Sequence, residues 1–234
     1  MGYREPTTDS IVHIYNRGPK KLPISRGQDD LFRLLHNLFY FNNAKPMPAT
    51  WSRDVARAGG MQTLVWPEHW EPRVPIVSIL AFTLMPNHLH LILKELVDGG
   101  VSKFMHRAGM SYSKFINEKY DENGSLFQGP YKSRRIDSDT DLRNLLTYVM
   151  VKNPFELYPG GLMSACQNFD DAYDHALAYP FTSLSEYTNG KPEFLDHALL
   201  DDLGFDPAAF KEFSREVMLR RFDAMRELDL HFTR

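Results

Sequence analysis

Residues 84–93, Leu-Met-Pro-Asn-His-Leu-His-Leu-Ile-Leu, alternate with the two-residue period of a strand. Successive strand side chains point to opposite faces, so His88 and His90 share one face while Leu89, Leu91 and Leu93 share the other. The leucine face demands burial. A slip of one residue would expose it, so the strand's rotation is fixed and both imidazoles are held in one direction. A lone histidine on such a face is ordinarily a polar residue tolerated near solvent. Two side by side, reached through a Pro-Asn turn, make half of a metal site.

The segments around this strand define a fold class. Residues 10–18 predict a first strand, with Val12 and Ile14 on one face and His13, Tyr15 and Arg17 on the other. A helix is predicted over 28–41, after acidic residues suited to its start. Residues 42–75 carry five prolines and all three tryptophans, which predicts a long loop or insertion with one short helix. Residues 76–82 pair with the histidine strand as a hairpin, and apolar residues at helical spacing predict a second helix over 101–120. An extended stretch over 125–136, broken by Gly129-Pro130, follows the Asn123-Gly124 turn. Ser138 or Asp139 caps a third helix running to Lys152, and Asn153-Pro154 ends it. The order strand, helix, hairpin, helix, strand, helix predicts an α+β fold, a ferredoxin-like antiparallel sheet with helices packed on it. Residues 158–161 and 180–189 read as irregular connections. Residues 206–228 read as a charge-laced helix, so 1–190 form the predicted domain and 191–234 a helical C-terminal appendage.

Composition narrows the chemistry. No apolar run approaches the roughly 20 residues that cross a bilayer, and the opening Met-Gly-Tyr-Arg-Glu-Pro has no apolar signal core, so a cytoplasmic protein without a membrane partner is expected. Cys166 is the only cysteine, which excludes an intrachain disulfide and a cysteine-rich zinc site. A bound metal must therefore use histidine, oxygen or amide ligands. The net charge of −3 hides an uneven distribution. Residues 101–135 hold seven basic and three acidic side chains, a local +4, whereas residues 191–234 hold seven basic and ten acidic ones, a local −3.

On the third helix, Leu142, Leu145, Leu146 and Val149 form an apolar stripe, and Asn144, Tyr148 and Lys152 fall at i, i+4 and i+8 on a more polar one. Phenols ionise near pH 10 and attack poorly unless the target is activated. A metal on His88 and His90 would polarise a phosphate oxygen and set the phosphorus for in-line attack by Tyr148.

Four segments carry a resemblance to a known family: 13–18 (His-Ile-Tyr-Asn-Arg-Gly), 85–91 (Met-Pro-Asn-His-Leu-His-Leu), 124–133 (Gly-Ser-Leu-Phe-Gln-Gly-Pro-Tyr-Lys-Ser) and the tyrosine helix ending in Asn153-Pro154. In this order they resemble the single-tyrosine HUH transposases (transposase IS200-like), especially the REP-associated tyrosine transposases. The resemblance spans roughly residues 8–190. It implies a DNA strand transferase that nicks and rejoins single-stranded or hairpin DNA through a 5′-phosphotyrosine on Tyr148. A divalent metal ion, Mg2+ or Mn2+, would sit on His88 and His90. The family tends to place an amide side chain four residues after the tyrosine as a third ligand. Position 152 is Lys, and Asn153 lies about 100° further round an α-helix, so Asn153 serves only if the helix end is distorted. The resemblance also admits a homodimer whose tyrosine helix serves the partner's site. An extended basic segment with an aromatic tracks a nucleic-acid backbone and stacks a base, which selects Tyr131, Lys132, Arg134 and Arg135 as DNA-binding candidates. Arg17 and Lys152 join them. The alternative is a catalytically impaired, host-adapted DNA-binding module derived from such a transposase, motivated by Lys152.

Overall fold

A computed structural model describes residues 8–59, 64–189, 194–202 and 206–232, and the side chains of all of these but 199, 202 and 222–232. The opening hexapeptide, on which the signal-peptide reading rests, lies outside the described residues. Strands β1 (Ile11–Arg17), β2 (Val77–Leu84), β3 (His88–Glu95) and β4 (Lys132–Arg135) form one sheet in the order β2-β3-β1-β4. β1 is central and pairs antiparallel with both β3 and β4. With a helix after β1 and another after β3, this is the ferredoxin-like α+β arrangement that the sequence predicts. The chain divides into two compact units, Met1–Ile79 with Leu84–Arg135, and Leu80–Thr83 with Ile136–Arg234.

In the first unit, α1 (Gln28–Tyr40) begins with Asp29 and Asp30 at the positive end of its dipole and buries Leu31, Leu34 and Leu38 along one stripe. It packs on α3 (Gly100–Tyr120), where the Asn37 amide donates to the Ala108 carbonyl at 3.1 Å. Asp30 ties the start of α1 to the end of α3. Its fully buried carboxylate accepts the Arg26 backbone N–H at 2.7 Å, the Lys119 ammonium at 2.6 Å and the Tyr120 hydroxyl at 2.8 Å. The Tyr112 hydroxyl, pushed above its ordinary range by burial, donates to the Ile24 carbonyl at 2.8 Å. At its other end, α3 starts where the buried Glu95 carboxylate accepts the Val101 N–H at 3.0 Å.

Among its described residues the predicted insertion holds one short helix, α2 (Trp51–Arg57), as expected. Its tryptophans are packing residues. Tyr40, fully buried at the end of α1, has the rings of Trp51, Trp70 and Trp66 at 5.4, 6.0 and 6.1 Å. Asn42 fastens the returning chain by accepting the Ile76 and Val77 N–H groups and donating to the Val77 carbonyl.

The second unit is helical: α4 (Asp139–Thr147), α5 (Asn153–Phe155), α6 (Gly161–Gln167), α7 (Phe169–Leu177), α8 (Leu184–Asn189), α9 (His197–Asp202) and α10 (Pro207–Phe232). The Ser138 hydroxyl caps α4 by accepting the Asp141 N–H at 3.2 Å. Residues 184–189 are helical where the sequence reads as irregular, because Leu184 and Tyr187, three apart, bury one face of a helix too short to show a period. α10 is anchored in this unit against α4 and α6. Phe210, Ser214 and Met218, at four-residue spacing, form its buried stripe. Arg215 and Lys211 bond Asp170 at 2.7 and 2.9 Å and hold its carboxyl down at about 2. Among the described residues no helix is long and apolar enough to cross a membrane.

Burial alone would raise the Asp30 carboxyl, but the bonds from Lys119, the Arg26 N–H and Tyr120 outweigh it and hold it below the ordinary carboxylate range. A group lowered in the folded state contributes stability above its unfolded value, near pH 4, and loses it as pH falls through the folded one. Asp30→Asn should cost about 2 kcal/mol in urea unfolding at pH 7 and flatten the loss of stability below pH 4.

Candidate functional site

The register of β1 decides which side chains share the histidine face. Tyr15 lies opposite His90, Arg17 opposite His88 and His13 opposite Ile92. On the other edge of β1, Lys132 lies opposite Tyr15 and Arg134 opposite His13. Directly paired residues of antiparallel strands point the same way, so the histidines share their face with Tyr15, Arg17, Lys132 and Arg134. Val12, Ile14, Leu89, Leu91 and Leu93 fill the opposite face and are buried. Arg135, paired with Val12, belongs to that opposite face, so the basic segment grouped from sequence is split by the pleat.

The two predicted histidines meet edge to face with ring centroids 5.2 Å apart. His88 Nδ1 lies 2.6 Å from Asn87 Oδ1, and the Asn87 amide nitrogen donates to the Lys21 carbonyl at 3.3 Å. That second bond fixes which end of the amide is oxygen. His88 therefore donates from Nδ1, which in the neutral ring leaves the lone pair on Nε2. His90 Nδ1 lies 2.8 Å from Nε2 of His13, a residue absent from the sequence candidates. The two rings are nearly parallel, both buried, with centroids 5.1 Å apart, and the half-exposed Tyr15 ring lies 5.9 Å from His90. Among the described residues, no three His, Cys, Asp or Glu side chains are arranged to hold a metal ion. A metal held by His88 and His90 would need a third ligand of another kind.

The basic candidates are set by the chain that returns to β1. Arg17 Nε donates to Gln128 Oε1 at 2.6 Å, the Gln128 N–H donates to the Arg17 carbonyl at 2.8 Å, and the Asn16 amide donates to the Gly129 carbonyl at 3.1 Å. These bonds feed half-buried Tyr131 and exposed Lys132 into β4, which covers only 132–135 of the predicted extended stretch. The half-buried Phe127 ring lies 6.4 Å from that of Tyr112.

The tyrosine helix departs from a regular α-helix. α4 stops at Thr147, and Tyr148–Lys152 form a π turn in which the Asn153 N–H donates to the Tyr148 carbonyl, five residues back. The helix then continues through Pro154 as α5 rather than ending at Asn153. Pro154 supplies the reason: it has no N–H to return to the preceding turn. The carbonyls there are taken by side chains, with the Thr83 hydroxyl donating to Val149 and the Thr182 hydroxyl to Met150 at 3.5 Å. The wider turn gives Asn153 the place above Tyr148 that the fourth residue takes in an α-helix. Asn153 is fully buried, and neither its amide oxygen nor its amide nitrogen has a hydrogen-bond partner. Lys152 pairs with Glu156 and lies 5.0 Å from the Tyr148 ring centroid, and Arg221 of α10 lies 5.9 Å from it.

The structure thus groups His88 and His90 in one unit, and Tyr148, Lys152 and Asn153 in the other. Sequence reasoning missed His13, Asn87 and Arg221. The phase of 10–18 already put His13 on the face of Tyr15 and Arg17, but only the strand register shows that it meets His90. Asn87 is adjacent to His88 and was read as turn chemistry alone.

The family model described as "Transposase IS200 like" matches residues 76–152, which run from β2 to the end of the π turn and include His88, His90 and Tyr148. The solved "Structure of the REP associates tyrosine transposase bound to a REP hairpin" is similar at 12% identity and a TM-score of 0.48, over 81% of this chain and 86% of that one. No curated protein matches.

A buried amide without partners lowers stability by about 1–3 kcal/mol relative to an apolar side chain of its shape. Asn153→Leu should therefore raise the metal-free protein's stability by about 1 kcal/mol in thermal or urea unfolding. A loss of stability would mean that the amide is satisfied in the folded protein.

Proposed function

We propose that the chain, matched over residues 76–152 by the IS200-like transposase family, is a strand transferase that opens and rejoins single-stranded or hairpin DNA through a 5′-phosphotyrosine on Tyr148. The observation that carries the reading is the buried, partnerless Asn153 amide, held by a π turn directly above the tyrosine. A buried polar group without a partner calls for an explanation, and a bound ion is the one this reading supplies. As donor types, the imidazole nitrogens of His88 and His90 and the amide oxygen of Asn153 would suit a divalent ion, Mn2+ or Mg2+ on this reading, of which Mn2+ is the more tolerant of nitrogen. When bound, such an ion supplies Lewis-acid polarisation of a phosphate oxygen.

The chain's own residues account for the other requirements of the reaction. Tyr148 Oη forms a bond to phosphorus as the bond from phosphorus to the 3′-oxygen breaks, and the proton lost by the phenol balances the proton gained by the leaving 3′-hydroxyl. One phosphodiester replaces another, so rejoining is the reverse attack by a 3′-hydroxyl and needs no nucleotide cofactor. Lys152 and Arg221 beside the Tyr148 ring suit a phosphate brought to the phenol. Arg17, Lys132 and Arg134, on the face that carries the histidines, suit the flanking backbone, and Tyr131 and Tyr15 offer rings for a base.

With a 3′-labelled single strand and Mn2+, wild type should give a covalent adduct stable to denaturing electrophoresis, and Tyr148→Phe should give none while binding DNA within a few-fold of wild type. Adducts persisting in Tyr148→Phe would remove the nucleophile assignment. Binding without adducts in wild type would leave a DNA-binding module. The pleat makes a separate prediction. Lys132→Ala with Arg134→Ala should lower the salt dependence of single-strand binding by about 1.4 in log–log slope, about 0.7 for each phosphate contact, and Arg135→Ala should change it far less.

A further inference from the structure

We infer that His13 is a positioning residue for the metal reading above: it accepts the Nδ1 proton of His90 and so presents His90 Nε2 as the ligating nitrogen. The inference rests on that reading and adds to it a role for a histidine on a different strand. His13 Nε2 and His90 Nδ1 are 2.8 Å apart between rings inclined by 16°, and both side chains are buried. Two imidazoles facing one another through ring nitrogens share a single proton, so one donates and the other accepts. If His90 donates, its tautomer is fixed with the lone pair on Nε2. If His13 donates, His90 carries its proton on Nε2 and cannot ligate through it.

The neighbouring histidine settles the sense that a joint site requires. Asn87 Oδ1 is an acceptor only, so His88 donates from Nδ1 and offers Nε2. A pair that ligates together needs His90 in the same tautomer, and His13 is the acceptor that provides it. Ligating histidines are ordinarily oriented in this way by a bond from their other ring nitrogen. His13 reaches this place diagonally across β1 and β3, since it is paired with Ile92, two residues beyond His90. It is not arranged as a third ligand. Its Nε2 faces His90 Nδ1, and the described residues contain no three His, Cys, Asp or Glu side chains grouped to hold an ion. Rotating the His90 ring would break the bond to His13, so the ring is oriented by this contact as well as by the strand.

Nitrogen-15 NMR of the imidazoles in the full-length chain, first metal-free and then with Mg2+, should show His90 protonated on Nδ1 and His13 unprotonated on Nε2. Mn2+ titration followed by electron paramagnetic resonance should show His13→Leu weakening Mn2+ binding about 10- to 100-fold, with His13→Gln, whose amide oxygen still accepts, within a few-fold of wild type. Circular dichroism and urea unfolding verify that both variants are folded, and the tautomer measurement on wild type stands if either is not. A wild-type chain that takes up no Mn2+ overturns the metal reading itself. A metal-binding wild type whose His90 carries its proton on Nε2, a His13→Leu variant with unchanged affinity, or a third imidazole coupled to bound Mn2+ overturns the positioning role alone.

Discussion

Antiparallel pairing of β1 with β3 is the constraint on which the histidine face depends. Shifting β1 by two residues would keep every apolar residue on its face, yet it would place Arg17 opposite His90 and remove His13 from His90's reach. The His13–His90 bond is worth about 1 kcal/mol and does not select the register by itself. Val12, Ile14, Leu89, Leu91 and Leu93 are all buried on the other side, and at about 2 kcal/mol each they contribute roughly 10 kcal/mol, an upper bound. Their fit to the core fixes the pairing. The polar face inherits its geometry from the apolar one.

How much of this is visible in the sequence depends on the range of the interaction that creates it. The alternation in 84–93, the Ser138 cap and the α+β order are local and were legible. The His13–His90 contact joins residues 77 apart, and strand register, which no local pattern records, makes it. Arg135 was grouped with Lys132 and Arg134 because a basic run shows charge, whereas its face follows from a pairing with Val12. The tryptophans of 42–75 interrupt every period and so resemble a loop, although three of them surround Tyr40 as a small aromatic core.

Charge shows less than packing at the C-terminal end. Residues 191–234 read as a helical appendage, and within it α10 carries a buried stripe through Phe210, Ser214 and Met218 and is fastened by Lys211 and Arg215 to Asp170. Through that anchoring Arg221 comes within 5.9 Å of the Tyr148 ring. The C-terminal helix thus places a cation near the tyrosine ring. The signal was the four-residue spacing of its apolar positions, diluted by the charges between them.

Pro154 shows how a residue that normally terminates a helix instead resets its count. By withholding one N–H it widens the turn from Tyr148, and hydroxyls from Thr83 and Thr182 take up carbonyls within it. Distance along the chain and position around the axis are thereby uncoupled. A functional group can move one place downstream in the sequence while keeping its station in space. On the function proposed above, a site signature written as a fixed gap would miss Asn153, whose station is set by the geometry of a single turn.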